Sequence, residues 1–327
     1  MHRAALSAFG SFRMQVHAIL NEHGGTLRTT DLEQLSDLMR DEFALHGHTI
    51  EIERVDGSGI GEAIERAANR SDIDVLLVGG GDGTVSSAAG ALMNRPIALG
   101  ILPAGTMNLF VRTLQIPLDL SEAVNALSSG EVTAVDIATV NGRPFVHQFS
   151  VGLHARMVRA RERYDYGSKF GKMWATTRAI VTTLRSLPLV RLQMEIDGRS
   201  QWIESPAIAV SNNLYGEGHL PYANDPTGGV LGVYICQVTD PLPAARMTLD
   251  MIRGAWRDNP GVRILTAKKI RMERSGGRSK DRSVQDGELV DLDEVSEVEI
   301  HEKALRVLVP REATFLAVAS PIATETE

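Results

Sequence analysis

The chain predicts a doubly wound α/β domain followed by a mainly antiparallel β-sandwich domain. Three observations lead there. From Val16 onward, strand-like and helix-like runs alternate, which is the pattern of βαβ units. The run Ile73 to Val78 is mostly apolar rather than alternating, as in a strand buried on both faces of a parallel sheet. Beyond about Gly130, helical periodicity thins and short β-rich runs take over, joined by the hairpin dipeptides Asn141-Gly142 and Asp197-Gly198. The first domain is expected over 14–133 and the second over 134–305, with the chain end (about 306–320) packing back on the first.

In order, Val16 to Leu20 reads as a strand and Asn21-Glu22-His23-Gly24-Gly25 as a glycine-rich turn. Thr30 and Asp31 offer a cap for a helix carrying Leu32, Leu35, Leu38, Met39 and Phe43 at helical spacing, and Gly47 stops it. A strand from His48 to Val55, a turn at Gly57-Ser58-Gly59 and a helix from Gly61 to Asn69 follow. The buried strand at 73–78 leads into a small-residue helix, Val85 to Leu92, and Pro96 to Ile101 is the next strand. In the second half, strands are expected at Val132–Val140, Pro144–Val151, Val190–Ile196, Trp202–Ser211, Val230–Val238, Lys268–Glu273, Val295–His301 and Leu305–Val309. Helices are expected at Arg156–Leu187 and Leu242–Trp256.

The composition narrows the function classes. With 327 residues, 43% of them hydrophobic and 23% charged, the chain is globular rather than disordered. Its single cysteine, Cys236, excludes an intramolecular disulfide and a cysteine-based zinc finger. No apolar run approaches the ~18–20 residues of a membrane span. A net charge of −7 argues against a general nucleic-acid binder, so no nucleic-acid partner is expected. Residues 1–13 lack the continuous apolar core of a secretory signal and read as an extension ahead of Met14. A cytoplasmic protein is the expectation.

The strongest motif is Gly79-Gly80-Gly81-Asp82-Gly83-Thr84, between the buried strand and the small-residue helix. Glycines let the backbone approach a ligand closely, and exposed N–H groups at a helix start attract phosphate. Asp82 sits where a carboxylate reaches a magnesium ion or its waters. One strand later comes Leu102-Pro103-Ala104-Gly105-Thr106-Met107-Asn108, whose Thr106 and Asn108 can hydrogen-bond a phosphate, ribose or base. Alone, Gly105-Thr106 is equally an ordinary cap. Two polar loops at the carboxyl ends of successive strands make a nucleotide cleft the better reading. No P-loop lysine motif and no Gly-x-Ser-x-Gly elbow occurs.

These residues resemble the diacylglycerol kinase and sphingosine kinase superfamily of lipid kinases, and most closely its soluble bacterial members. The resemblance extends through VDIATVNGRPFVHQFSVG (135–152), SNNLYGEG (211–218) and VQDGELV (284–290), covering nearly the whole chain after Met14. The GGDGT core is also similar to NAD kinases and phosphofructokinases, which implies the same kind of α/β domain. The resemblance implies an ATP- and Mg²⁺-dependent kinase acting on a lipid hydroxyl in the cleft between the domains. Gly80, Gly81, Gly83, Thr84, Gly105, Thr106 and Asn108 would hold the nucleotide, and Asn21 with Gly24-Gly25 matches the family's N-terminal loop. Asp286 matches the carboxylate proposed as general base, with Glu288 and Asp82 holding magnesium; Asp286 and Asp82 are the expected catalytic pair. By its residues alone, Asp286-Gly287 reads as a β-turn. Arg112 and Asp136 are expected to form a charge link between the domains.

The chain departs from the family pattern at Glu22-His23, at Leu109, where many members carry aspartate, and in the loop 224–231, which has no carboxylate between Asp225 and Asp240. An NAD-kinase-like enzyme is the second reading, and the last two departures motivate a third, a nucleotide-binding regulator without catalysis. Two basic runs stand out, 153–187 with eight Lys/Arg against two acids and 268–282 with seven against two. Each Lys or Arg near anionic lipid is worth about 1 kcal/mol. Reversible docking on an anionic inner leaflet is therefore expected, although the same runs also suit a solvated face. Trp174, Leu184, Leu187 and Leu189 suit an acyl-chain cleft or ordinary core. The oligomeric state stays open, a homodimer included.

Overall fold

The computed structural model describes residues 13–156, 158, 189–218, 220–238, 240, 243, 246–247, 249–250, 253–274 and 282–319. The expected helix at 156–187, most of the first basic run, and Trp174, Leu184 and Leu187 lie outside the described residues apart from 156 and 158.

The first unit alternates as the sequence pattern requires. Strands β1 (Gln15–Asn21), β2 (Thr49–Val55), β3 (Val75–Gly80) and β4 (Ala98–Pro103) lie parallel in the order β2-β1-β3-β4. β3 and β4 are buried at every position, which accounts for their unbroken apolar character. Between them run α1 (Leu32–Leu45), α2 (Ile60–Ala68) and α3 (Asp82–Leu92), followed by the short α4 (Leu109–Thr113) and α5 (Leu120–Ser128). The carboxylate of Asp31 caps α1 by accepting from the Glu33 and Gln34 N–H groups, both at 3.1 Å. Gly47, at φ +80°, ends it. Met39 and Phe43 are fully buried on its inner face, each worth about 1.5–3 kcal/mol. Asp119 caps α5 in the same way; the sequence pattern had not marked that helix.

The chain then builds two antiparallel layers. β5 (Glu131–Val140), β6 (Arg143–Phe145), β8 (Val190–Ile196), β9 (Arg199–Ser205), β13 (Lys269–Arg274) and β16 (Val295–Val309) extend the first sheet to ten strands. β7 (Gln148–Gly152), β10 (Ala207–Asn212), β11 (Leu231–Cys236), β12 (Val262–Ala267), β14 (Arg282–Gln285) and β15 (Glu288–Asp291) form the second sheet, in the order β12-β11-β10-β7-β14-β15. The layers enclose Ala138, Phe145, Phe149, Met194, Val210, Val233, Ile270 and Val298. The molecule is therefore a mixed α/β domain followed by an antiparallel sandwich.

Several expected elements are subdivided. Residues 202–211 form two strands, because Pro206 has no N–H to donate and the chain changes sheets there. The 144–151 run splits at Val146-His147, whose N–H groups are used elsewhere. The runs 295–301 and 305–309 are one strand, bulged between His301 and Leu305 with Lys303 at φ +53°. The described residues of 243–253 are helical and Trp256–Asp258 closes that stretch with a 3-10 turn. α6 (Phe315–Ala319) ends the described chain. Among the described residues no helix is long and apolar enough to cross a membrane.

Candidate active site

Three glycine loops meet at the carboxyl ends of β1, β3 and β4. The strand order places β2 on one side of β1 and β3 on the other, so the chain reverses direction between β1 and β3. Open α/β sheets bind ligands at such a switch point. The loop after β1 closes through Gly24, whose N–H donates to the Asn21 carbonyl at 2.9 Å, while Asn21 Oδ1 accepts from the His23 N–H. Gly25 stands at φ +41°, and a Cβ there would overlap the Ala104 carbonyl oxygen, which also accepts from the Thr26 N–H at 2.9 Å. The loops after β3 and β4 touch glycine to glycine: a Cβ on Gly105 would lie 3.1 Å from the Gly81 Cα. A Cβ on Gly80 would strike Thr84 at 2.6 Å, so the strand must end in glycine to let α3 start.

Gly81 is the residue before α3 and, among the described residues, no side chain caps that helix, so its first-turn N–H groups face the loop junction. An uncapped helix start between glycine loops fits a phosphate group. Asp82 does not point outward: its oxygens accept from the Asn108 N–H (3.3 Å) and the Leu109 N–H (3.1 Å), capping α4 from the neighbouring loop. One acceptor position per oxygen is used, and a carboxylate has about four. Asn108, at φ +50°, closes its own loop, with Oδ1 accepting from the Gly105 N–H and Nδ2 donating to the Gly105 carbonyl, both at 2.9 Å. Thr106 is exposed at the tip of that loop.

The β14–β15 turn reaches this region from the second sheet. Asp286 and Gly287 both have positive φ, +47° and +90°, in a two-residue hairpin turn. Asp286 is 9% exposed and accepts four hydrogen bonds: from the N–H groups of Val146 (2.9 Å), His147 (2.8 Å) and Gln148 (3.0 Å), and from the Ser86 hydroxyl on α3 (2.6 Å). Burial holds its carboxyl above the usual range, and the four hydrogen bonds pull in the opposite direction. Two residues on, Glu288 Oε1 lies 2.8 Å from where a Cβ on Gly83 would stand, so its carboxylate covers the first turn of α3 beside Asp82. Hard oxygen ligands of this kind suit Mg²⁺, which commonly takes one or two protein carboxylates plus substrate phosphates. Among the described residues no group of three or more metal-binding side chains occurs.

Behind Asp286 lies a buried polar chain that the sequence pattern did not mark. Tyr215 donates its hydroxyl to Gln148 Oε1 at 2.6 Å, and its ring stacks on His147 at 5.5 Å. Burial pushes the His147 imidazole down to about 3 and raises the Tyr215 phenol well above its ordinary value. His147 Nε2 is buried without a hydrogen-bond partner among the described residues. For Ser86 one signal existed: it lies four residues after Asp82, on the same helical face.

One expectation needs correcting. Arg112 and Asp136 form no charge link: Arg112 Nε donates to the Met107 carbonyl at 3.0 Å. Asp136, 1% exposed, instead accepts from the Gly229 N–H (2.7 Å) and the Lys303 N–H (2.9 Å). The described part of the second basic run is largely neutralised. Lys268 pairs with Glu302, Lys269 with Glu299 at 3.2 Å and Arg271 with Glu297 at 3.0 Å, because β13 lies beside the acidic outer face of β16. In the loop 224–230, Asp225 accepts from the N–H and hydroxyl of Thr227.

Comparison with known proteins agrees with this architecture. Residues 15–140 match the diacylglycerol kinase catalytic domain, and residues 148–309 match the YegS C-terminal NAD kinase beta sandwich-like domain. An uncharacterized protein of Synechocystis sp. is 29% identical over 263 residues, 76% of this chain and 58% of that one. A Staphylococcus aureus protein provisionally named a lipid kinase is 31% identical over 170 residues, covering 50% of this chain and 54% of its own. The chain thus spans a little over half the length of these curated relatives. A Bacillus anthracis crystal structure, provisionally named a diacylglycerol kinase, superposes with a TM-score of 0.74 at 21% identity, over 94% of this chain and 99% of that one. With both of its halves matched in order, the chain belongs to the diacylglycerol kinase catalytic-domain family.

Proposed function

We propose that the protein is an ATP- and Mg²⁺-dependent kinase that phosphorylates a hydroxyl of a membrane lipid such as diacylglycerol, ceramide or a sphingoid base. The observation that carries this reading is the buried Asp286, delivered by the second sheet to the flank of the uncapped helix α3. Phosphoryl transfer is mostly positioning plus charge neutralisation. The glycine loops and the first turn of α3 would hold the nucleotide phosphates, and Asp82 with Glu288 would hold the metal. Bound there, Mg²⁺ would offset charge on the transferring phosphoryl group. A lipid hydroxyl is a weak nucleophile, and Asp286 would be the final acceptor of its proton. Access to such a substrate calls for peripheral, reversible association with an anionic leaflet. The ion pairing of Lys268, Lys269 and Arg271 shifts the expected contact toward other basic residues.

The test is transfer from γ-labelled ATP into a total lipid extract in mixed micelles, comparing wild type with Asp82→Ala and Asp286→Ala. Wild type is expected to label one lipid class, and each variant to lose at least about 10²-fold of that activity. Because the second half matches a sandwich described as NAD kinase-like, NAD is included as an acceptor. Labelled NADP without labelled lipid would replace the lipid reading. ATP binding with neither product would favour a nucleotide-binding regulator.

A further inference from the structure

We propose that Ser86 is a catalytic residue: its hydroxyl takes the proton of the acceptor alcohol while passing its own proton to Asp286 Oδ2. This inference rests on the kinase reading of the same site and assigns a role to a residue outside the family motif.

A carboxylate offers about four acceptor positions, and Asp286 has four donors. Three are backbone N–H groups of consecutive residues, Val146, His147 and Gln148, held by the β6–β7 connection. An amide N–H neither leaves this cradle easily nor relays a proton. The fourth donor, Ser86 Oγ, is a hydroxyl, with two lone pairs of its own. Among the described residues nothing donates to those lone pairs, and Ser86 is only half-buried. A proton can therefore enter Asp286 without displacing a backbone hydrogen bond by passing through Ser86.

The direction of the hydroxyl is itself informative. A serine inside a helix commonly donates back to the carbonyl four residues earlier. Ser36 does so in α1, donating to the Leu32 carbonyl at 2.6 Å. Ser86 instead reaches across 200 residues of sequence to Asp286, also at 2.6 Å. It lies one turn beyond Asp82, on the face of α3 that leads from the phosphate end to the carboxylate.

The step balances. The alcohol O–H bond breaks, and its oxygen forms the new bond to the γ-phosphorus of ATP. The bond between that phosphorus and the bridging oxygen breaks, and its electron pair leaves with ADP. The alcohol proton goes to Ser86 Oγ, and the serine's original proton goes to Asp286, which releases it to solvent after the product departs. Ser86 ends as it began.

The test uses the full chain with the lipid acceptor found by labelling, comparing wild type, Ser86→Ala and Ser86→Thr. Melting temperature and ATP binding are measured for each variant. Ser86→Ala is expected to lose about 10²-fold in kcat with the KM for ATP unchanged, and Ser86→Thr, which keeps a hydroxyl, to recover most of it. Rates across mixtures of H₂O and D₂O should curve for wild type, where two protons move, and become linear for Ser86→Ala. A kcat for Ser86→Ala within a few-fold of wild type, or an unchanged curvature, overturns the relay while leaving the kinase standing. If wild type labels no lipid at all, the kinase reading falls and the relay falls with it.

Discussion

At the scale of the residue, the site shows how burial and hydrogen bonding share control of one group. Asp286-Gly287 is a hairpin turn by its chemistry, and it is one in the fold, with both φ angles positive. That same turn buries the carboxylate among four donors. The β-turn and the candidate carboxylate are thus one feature rather than alternatives. His147 shows the opposite case, a titratable ring whose buried Nε2 has no hydrogen-bond partner among the described residues. The unfolded chain takes up a proton at residue 147 below about pH 6.5, whereas the folded chain resists it down to about 3. Stability is therefore full above pH 6.5 and is lost as the pH falls through that window. His147→Phe keeps the stack on Tyr215 and removes the titration. Its loss of unfolding free energy between pH 7 and pH 4.5 is expected to be smaller than that of wild type by on the order of 2–3 kcal/mol. Urea titrations at both values check this, and equal losses would reject it.

At the scale of the element, the loop between β4 and α4 was legible as a polar, glycine-bearing connection, but its internal wiring was not. Sequence chemistry offered Thr106 and Asn108 equally as ligand donors. In the fold Thr106 is exposed, whereas both polar ends of Asn108 bind the Gly105 backbone and Asp82 caps α4. Asn108→Ala removes two hydrogen bonds, at about 1 kcal/mol each. It also leaves an alanine in the left-handed region, at about 1 kcal/mol more. We expect a total loss of about 2–3 kcal/mol and weaker ATP binding. Asn108→Gly, free of the backbone strain, should lie nearer wild type. Thermal unfolding and ATP titration of both variants check this, and equal destabilisation by Ala and Gly would remove the strain component. Strand boundaries were misread for a related reason. Pro206 and the His301–Leu305 bulge divide or join strands according to which sheet receives them, and local periodicity carries no record of that.

At the scale of the whole molecule, Asp136 links pieces distant in sequence. Lying in β5, it accepts from Gly229, just before β11, and from Lys303, in the bulge of β16, while its N–H donates to the Pro226 carbonyl. β16 in turn pairs with β4 near its end and with β13 near its start, so one strand crosses both units. Asp136→Ala leaves the buried Gly229 N–H unpaired, at about 1–3 kcal/mol, and removes the acceptor of the Lys303 N–H. The expected outcome is a lower denaturation midpoint together with faster amide exchange at Gly229 and Lys303. Unchanged exchange there would show that the carboxylate does not hold these segments. What the amino-acid sequence determined by itself is the class of fold and the glycine loops at the strand ends, while Asp286 stood out only through the family resemblance. Turn chemistry, apolar runs and motif spacing depend on near neighbours in the chain. Only the tertiary structure decided that Ser86 meets Asp286, that Asp136 bonds backbone rather than Arg112, and that Lys268, Lys269 and Arg271 are paired with glutamates. Each of those contacts joins residues set side by side by the stacking of sheets, and that stacking is a property of the whole core rather than of any one segment.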